Sequence, residues 1–327
     1  MKYPLLLAGL LAAAGAASAD DKPVLTVYAP DYFGSEWGPG PGIEAGFEAI
    51  CDCDLEYRTG DVLPRLLLEG ANTKADVAIG LNTDVTRRAR AAGIFAPHGL
   101  TTDGLSMPVD WTDDTFLPFN WSYAAFVYDN TKVEDAPTSF DALLERDDLS
   151  LVIQDPRTSI SGLALLLWVK SIYGDDAEAA WAKLAPKITT VTQDWSTAYG
   201  LFTSGEADMV LSFTTSPAYH IVAEEDLTKA AAIFDEGHYL FVELAGKIAG
   251  TDQPELADMF LDYMLSADFQ EMIPTTNWSY PAKLDEADWP QAFKDLPRPG
   301  SALFYSEDDA EAVRVDAVEE WRKALSQ

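Results

Sequence analysis

The sequence predicts an α/β protein of two lobes, each a mainly parallel sheet flanked by helices, with a ligand cleft between them. Three observations carry this. Short apolar runs alternate with helical stretches along the chain, the order that builds parallel βαβ units. A long aromatic extended segment, residues 119–128, reads as a strand that leaves one lobe and enters another. A second apolar run, residues 237–245, reads as the return strand. The two crossings divide the chain into residues 20–121 (first part of lobe 1), 122–240 (lobe 2) and 241–327 (return segment and C-terminal helices of lobe 1).

Taken in order, Val24, Leu25, Thr26, Val27 and Tyr28 make a strong first strand, followed by a Gly- and Pro-rich loop over 29–42. A helix over 43–50 leads to a strand over 54–58, a short helix over 63–70 and a strand over 75–80. The helix over 85–93 stops at Gly93, a residue suited to a helix end. Lobe 2 runs through a strand at 151–154, helices over 163–173 and 177–184, a stretch over 195–202, a strand at 209–211 and a helical run over 218–225. Helices over 254–265 and 268–273 follow the return strand. The chain closes on an amphipathic helix over 309–325, with Val313, Val318, Trp321 and Leu325 near one face.

Lys2, an apolar run over 4–17 and the small residues Ala17 and Ala19 form an export signal with cleavage after Ala19. That run is too short, and too soon followed by charge, to span a membrane stably. About three hundred residues remain, enough for two domains with cores of their own. Fifty-four acidic against 22 basic side chains give a formal charge of −32, which would repel a phosphate backbone and argues against nucleic-acid binding. Only Cys51 and Cys53 are present. In an exported protein they read as a local disulfide; the competing reading, a two-thiolate metal site, lacks histidine partners and a second cysteine pair.

Ligands of open α/β sheets sit on the loops that follow strands, and here those loops are aromatic and hydroxylic. Asp31, Tyr32 and Trp37 lie on the first. Asp155 and Ser159 precede the helix over 163–173, and Trp195 precedes another helix. Phe213, Thr214, Thr215 and Ser216 lead into Pro217, with Tyr219 in the next turn, and Trp278 lies beyond the helix pair. Ser216 is placed to cap a helix that begins at Pro217, making this stretch a candidate anion or polar-ligand cradle. Catalytic signatures are missing: there is no Gly-x-Ser-x-Gly, His-Glu-x-x-His, Walker loop or Gly-x-Gly-x-x-Gly. His98, His220 and His238 are too scattered for a metal cage. A binding protein without cofactor or metal fits better than an enzyme.

These residues resemble the thiamine-binding periplasmic proteins of bacterial ABC importers. The resemblance is carried by Leu25 to Tyr28 with Trp37-Gly38-Pro39-Gly40-Pro41, by Cys51 and Cys53, and by Gln154-Asp155-Pro156-Arg157-Thr158-Ser159. It continues through Leu165-Leu166-Leu167-Trp168, Ser212 to His220, Glu236-Gly237-His238-Tyr239, Ile273-Pro274-Thr275 and Asn277-Trp278. It implies a type II periplasmic-binding fold, a periplasmic location, and delivery of thiamine to a membrane permease and its ATPase. The helix end at Ser216, and Ser159, would also face the phosphate tail of thiamine mono- or diphosphate. A monomer suffices for that task. Carried over by position, the ligand contacts fall on Ser159, Ile160, Trp195, Phe213, Thr214, Thr215, Ser216, Tyr219 and Trp278, with Asp31 and Trp37 near the cleft. Phe213 stands where the family usually has tyrosine. Gly60 aligns in a shortened segment where Thr59 or Asp61 supplies the polar contact.

Thiamine joins an aminopyrimidine to a permanently cationic thiazolium, which Trp195, Tyr219 and Trp278 can sandwich, while Asp31 or Asp61 offsets the charge. A polyamine binder of the same fold is the alternative. A ferric-ion binder would want adjacent tyrosines, which Tyr219 and His220 do not supply, and a secreted hydrolase would need a nucleophile with an aligned base.

Overall fold

The computed structural model describes residues 22–326, so the expected export signal over 1–19 lies outside the described residues. The strands are β1 (Val24–Ala29), β2 (Asp54–Thr59), β3 (Val77–Asn82), β4 (Phe95–Ala96), β5 (Phe116–Asp129) and β6 (Leu151–Gln154). They continue with β7 (Ile188–Thr192), β8 (Met209–Phe213), β9 (Lys229–Ala231), β10 (His238–Ile248), β11 (Tyr280–Pro281) and β12 (Ala302–Leu303). The main path of neighbours is β2-β1-β3-β10-β5-β8-β6-β7. At one end, β1 pairs in parallel with β2 and β3; at the other, β6 pairs in parallel with β7 and β8. On this path β5 and β10 run antiparallel to their neighbours, between the two parallel blocks.

β5 is what makes the molecule two-lobed. Up to Tyr123 it pairs with β10, and from Ala124 onward it pairs with β8. Its first twelve residues are all buried, which is why the aromatic run of the sequence is continuous rather than alternating. β3 is likewise buried along its whole length. Leu25, Val27, Phe47, Ile79, Phe119 and Phe260 fill one core. A second and larger one holds Phe126, Phe140, Trp168 and Phe234, packed ring against ring.

Two features of the fold add to the sequence-based expectation. β7 pairs at the end of the strand path although three of its five residues are exposed, so it has no apolar run to announce it. The last helix, Glu307–Leu325, packs on helices Ile160–Tyr173 and Ala177–Leu184 as well as on Thr86–Ala91. It therefore touches both lobes, with Arg87 paired to Asp308 at 2.9 Å and Lys170 to Glu320 at 2.7 Å. It buries Ala310, Ala317, Trp321 and Ala324, while Val313, Val318 and Leu325 are only partly covered. Cys51 and Cys53 are joined by a disulfide at the end of helix Gly40–Cys51. It closes too small a loop to add much stability.

Two buried groups near the junction titrate in opposite senses. Burial raises the Asp84 carboxyl to about 7, against the lowering effect of hydrogen bonds from Tyr239 and Asn82. Burial lowers His238 to about 4; its Nδ1 lies 2.7 Å from the Ala124 carbonyl and its Nε2 accepts from the Phe234 amide. The stability due to Asp84 is present below pH 3.8 and is lost as pH rises towards 7. The stability due to His238 is present above pH 6.5 and is lost as pH falls towards 4. Each is worth on the order of 3 kcal/mol, so they offset each other through mild acid. Asp84→Asn is expected to gain stability over the unaltered protein at pH 7 and to lose it more steeply between pH 6.5 and 4. Urea unfolding across that range checks this; parallel curves for the two proteins would refute it.

Candidate functional site

The site forms where the chain passes between lobes. The end of β8 is held to the crossing by its own backbone, because the Thr214 amide donates to the Tyr123 carbonyl at 2.9 Å. Beyond it the chain turns at once into helix Pro217–Ala223. Ser216 precedes this helix in helical conformation and makes no side-chain cap. Its hydroxyl lies 2.7 Å from that of Ser212 and accepts from the Phe213 amide. Ser212 in turn accepts from the Trp195 indole at 2.9 Å. The hydroxyls thus orient a ring.

Most donors of the expected anion cradle at this stretch are engaged within the protein, the Thr214 hydroxyl excepted. The amides of Phe213, Thr214, Ser216, Ala218 and Tyr219 are all spent on acceptors within the chain. Thr215 is fully buried and its hydroxyl lies 3.0 Å from that of Ser122 on β5. Another helix start does face the cleft. Helix Ile160–Tyr173 is capped by the Ser159 side chain, which accepts from the Gly162 amide, and Ile160 and Ser161 line the cavity. Amides in a first turn lack intrahelical acceptors, so this end retains donors for a polar or anionic group.

The cleft has a volume of about 350 Å³, within the range of small-molecule sites. Trp195 stacks on Tyr199 with ring centroids 4.8 Å apart. Tyr219 meets Trp278 edge to face at 5.2 Å, and Phe213 packs on Phe241 at 4.8 Å. Trp37 stands at the rim, half exposed. The loop that carries Trp37 and Tyr32 is tightly coiled: a Cβ on Gly38 would lie 2.1 Å from the Tyr32 carbonyl oxygen. Behind Tyr199, His220 has Nε2 at 2.9 Å from the tyrosine hydroxyl and Nδ1 at 2.6 Å from the Glu224 carboxylate. His220 is therefore a buried support for the stack.

The floor of the cleft is polar. Glu243, on β10, is only 3% exposed. It accepts from the Tyr32 hydroxyl, from Asn120 Nδ2 at 2.7 Å and from Asn277 Nδ2 at 2.9 Å. Burial raises its affinity for a proton while these three donors lower it, and burial dominates. Burial beside this carboxylate also holds the Tyr32 hydroxyl protonated far above the usual phenol range. Among the described residues, no lysine or arginine lines the cleft.

Of the residues singled out from the sequence, Tyr32, Trp37, Ile160, Trp195, Phe213, Ser216, Tyr219 and Trp278 line this one cavity. Asp31, Thr59, Gly60, Asp61, Ser159, Thr214 and Thr215 are not among its lining residues. Asp31, Thr59 and Asp61 are exposed to solvent, and Asp155 pairs with Arg157 at 2.5 Å. Sequence reasoning missed Tyr199, Phe241, Glu243 and Asn277 as site residues. A lone acid between Val242 and Leu244 in an apolar strand was the available signal, since such a group is buried only when partnered.

Trp278 follows the last turn of helix Ala267–Thr276 with φ +54°. A left-handed residue after a helix is usually glycine, and the conformation costs a side-chain-bearing residue about 1–2 kcal/mol. Trp278→Ala and Trp278→Gly remove the same ring, yet the glycine variant is expected to be about 1 kcal/mol more stable. Comparing their urea midpoints checks this, and equal midpoints would mean that the backbone there carries no strain.

Residues 72–312 match the family described as bacterial extracellular solute-binding protein. The thiamine-binding periplasmic protein of Escherichia coli (strain K12) is 47% identical over 310 residues, covering 93% of this chain and 94% of the relative. The solved structure of a periplasmic thiamin binding protein has a TM-score of 0.92 at 46% identity, covering 98% of this chain and 100% of that one. Iron-bound HitA from Pseudomonas aeruginosa, at 21% identity, shares the fold with a TM-score of 0.73 over 92% of this chain and 99% of its own. The two-lobed architecture is that of a type II periplasmic binding protein, and the chain belongs to the family of thiamine-binding periplasmic proteins.

Proposed function

We propose that this chain is a periplasmic carrier that captures thiamine between its lobes and delivers it to an ABC importer. The observation that supports this most is the cleft itself. Its walls are the rings of Trp195, Tyr199, Tyr219 and Trp278, its floor is the buried carboxyl group of Glu243, and among the described residues no basic side chain lines it. A flat cation held against such rings gains on the order of 1–2 kcal/mol per desolvated contact, and a lysine or arginine there would repel it. The relatives that carry this fold at high identity are named for thiamine binding.

The start of helix Ile160–Tyr173 gives the hydroxyethyl tail a polar end, and its amides suit the mono- and diphosphate as well. Closure would bend β5 and β10, the two strands that run between the sheets. Binding proceeds without turnover, so thiamine phosphates leave the protein unaltered. The carrier acts as a monomer, matures by cleavage after Ala19, and passes its cargo to a membrane permease driven by an ATPase.

Tryptophan fluorescence of the ligand-stripped protein is expected to be quenched saturably by thiamine and its phosphates. Trp195→Ala and Trp278→Ala should each weaken binding about tenfold, the equivalent of about 1.4 kcal/mol. A response to spermidine alone would replace thiamine by a polyamine as the cargo, and recovery of dephosphorylated product would make the protein an enzyme.

A further inference from the structure

The cleft contains a carboxyl group, that of Glu243, to which the protein itself supplies no counter-charge. Glu243 is almost fully buried, lines the cavity, and is held by three neutral donors from Tyr32, Asn120 and Asn277. Among the described residues no lysine, arginine or histidine forms an ion pair with it. The other acid of the lining, Glu224, is paired with His220. Neutral donors stabilise a carboxylate without cancelling its field, and a field at the bottom of an apolar cleft is weakly screened. Asp31 and Asp61, by contrast, stand in water, where salt screens them within about 8 Å.

We infer that Glu243 is the specificity-determining residue of the cleft, the counter-charge that selects a permanently cationic planar heterocycle over an uncharged ring of the same shape. The inference rests on the thiamine reading above and deepens it. β10 presents Phe241 and Glu243 on the same face, as residues two apart on a strand must be. One packs on Phe213 beside the ligand space and the other charges it. A cationic ring that enters displaces water from the carboxylate and replaces it with an opposite charge. An uncharged isostere displaces the same water and returns nothing, leaving a buried anion without compensation. Selection therefore works by rejection as much as by attraction. Asn277 is bonded to the same carboxylate and adjoins Trp278, so the charge and the ring that covers it share one support.

That shared support sets the competing explanation, in which Glu243 only anchors the Trp278 loop. Calorimetric titration with thiamine and with its uncharged thiophene isostere separates the two. The unaltered protein is expected to bind thiamine at least about tenfold more tightly than the isostere. In Glu243→Gln the thiamine affinity should fall by at least about tenfold while that of the isostere changes less than about threefold, so that the preference collapses. Tyr32→Phe keeps both the ring and the carboxylate and removes one donor; it should weaken both ligands alike and preserve the preference. Equal weakening of both ligands in Glu243→Gln, or a lack of preference in the unaltered protein, would overturn the inference and leave thiamine binding intact. Failure of the unaltered protein to bind thiamine would overturn the ligand reading and this inference together.

Discussion

The constraint on which the rest depends is the handover of β5 from β10 to β8 between Tyr123 and Ala124. A strand buried along its first twelve residues has to satisfy its backbone on both edges. It does so with β10 and β11 before the handover and with β8 and β9 after it. That requirement brings the end of β8 and the middle of β10 together at a single point. Phe213 and Phe241 touch there, and Thr214 is tied to Tyr123 by a backbone bond. The cavity is a consequence of this meeting, because loops that leave the strand ends on either side must flank it.

The rings that line the cleft are then oriented by polar groups behind them. Trp195 is fixed through Ser212 and Ser216, Tyr199 through His220 and Glu224, and Tyr32 and Asn277 through Glu243. Aromatic side chains fill space but have few directional contacts of their own. A hydroxyl or carboxylate bonded to an indole, a phenol or a neighbouring amide supplies the missing direction. The hydroxyls of Ser212 and Ser216 therefore serve a ring, while the start of helix Ile160–Tyr173 keeps amides turned to the cleft.

This division explains which parts of the protein were legible in the sequence. Strand and helix order could be read because buried strands such as β3 are continuous apolar runs and helices carry their own stops. β7 could not, since an exposed strand of Ile188, Thr189, Thr190, Val191 and Thr192 looks like a polar connection. The aromatic members of the site were legible because Trp37, Trp195, Tyr219 and Trp278 sit on loops and first turns rather than on a periodic face. Several of the polar residues singled out, Asp31, Asp61, Thr214 and Thr215 among them, do not line the cavity, for one reason. Ser, Thr and Asp bond to whatever the fold brings near, and that depends on tertiary contacts no local pattern records. Thr215 meets Ser122 across 93 positions of chain, and Glu243 meets Tyr32 across 211.

The same argument limits what the overall charge can do. A formal charge of −32 draws any cation towards the surface, but it draws all cations alike and fades beyond about a Debye length in salt. Discrimination requires a charge whose water is removed when the ligand arrives, because only there does the difference between a charged and an uncharged ring reach its full size. Among the acids of this chain, Glu243 combines burial, access to the cavity and freedom from an ion-pair partner. Its position inside a hydrogen-bonded strand of the junction fixes that carboxylate relative to both aromatic walls. The charge is thereby preorganised, and a ligand need not order it on arrival.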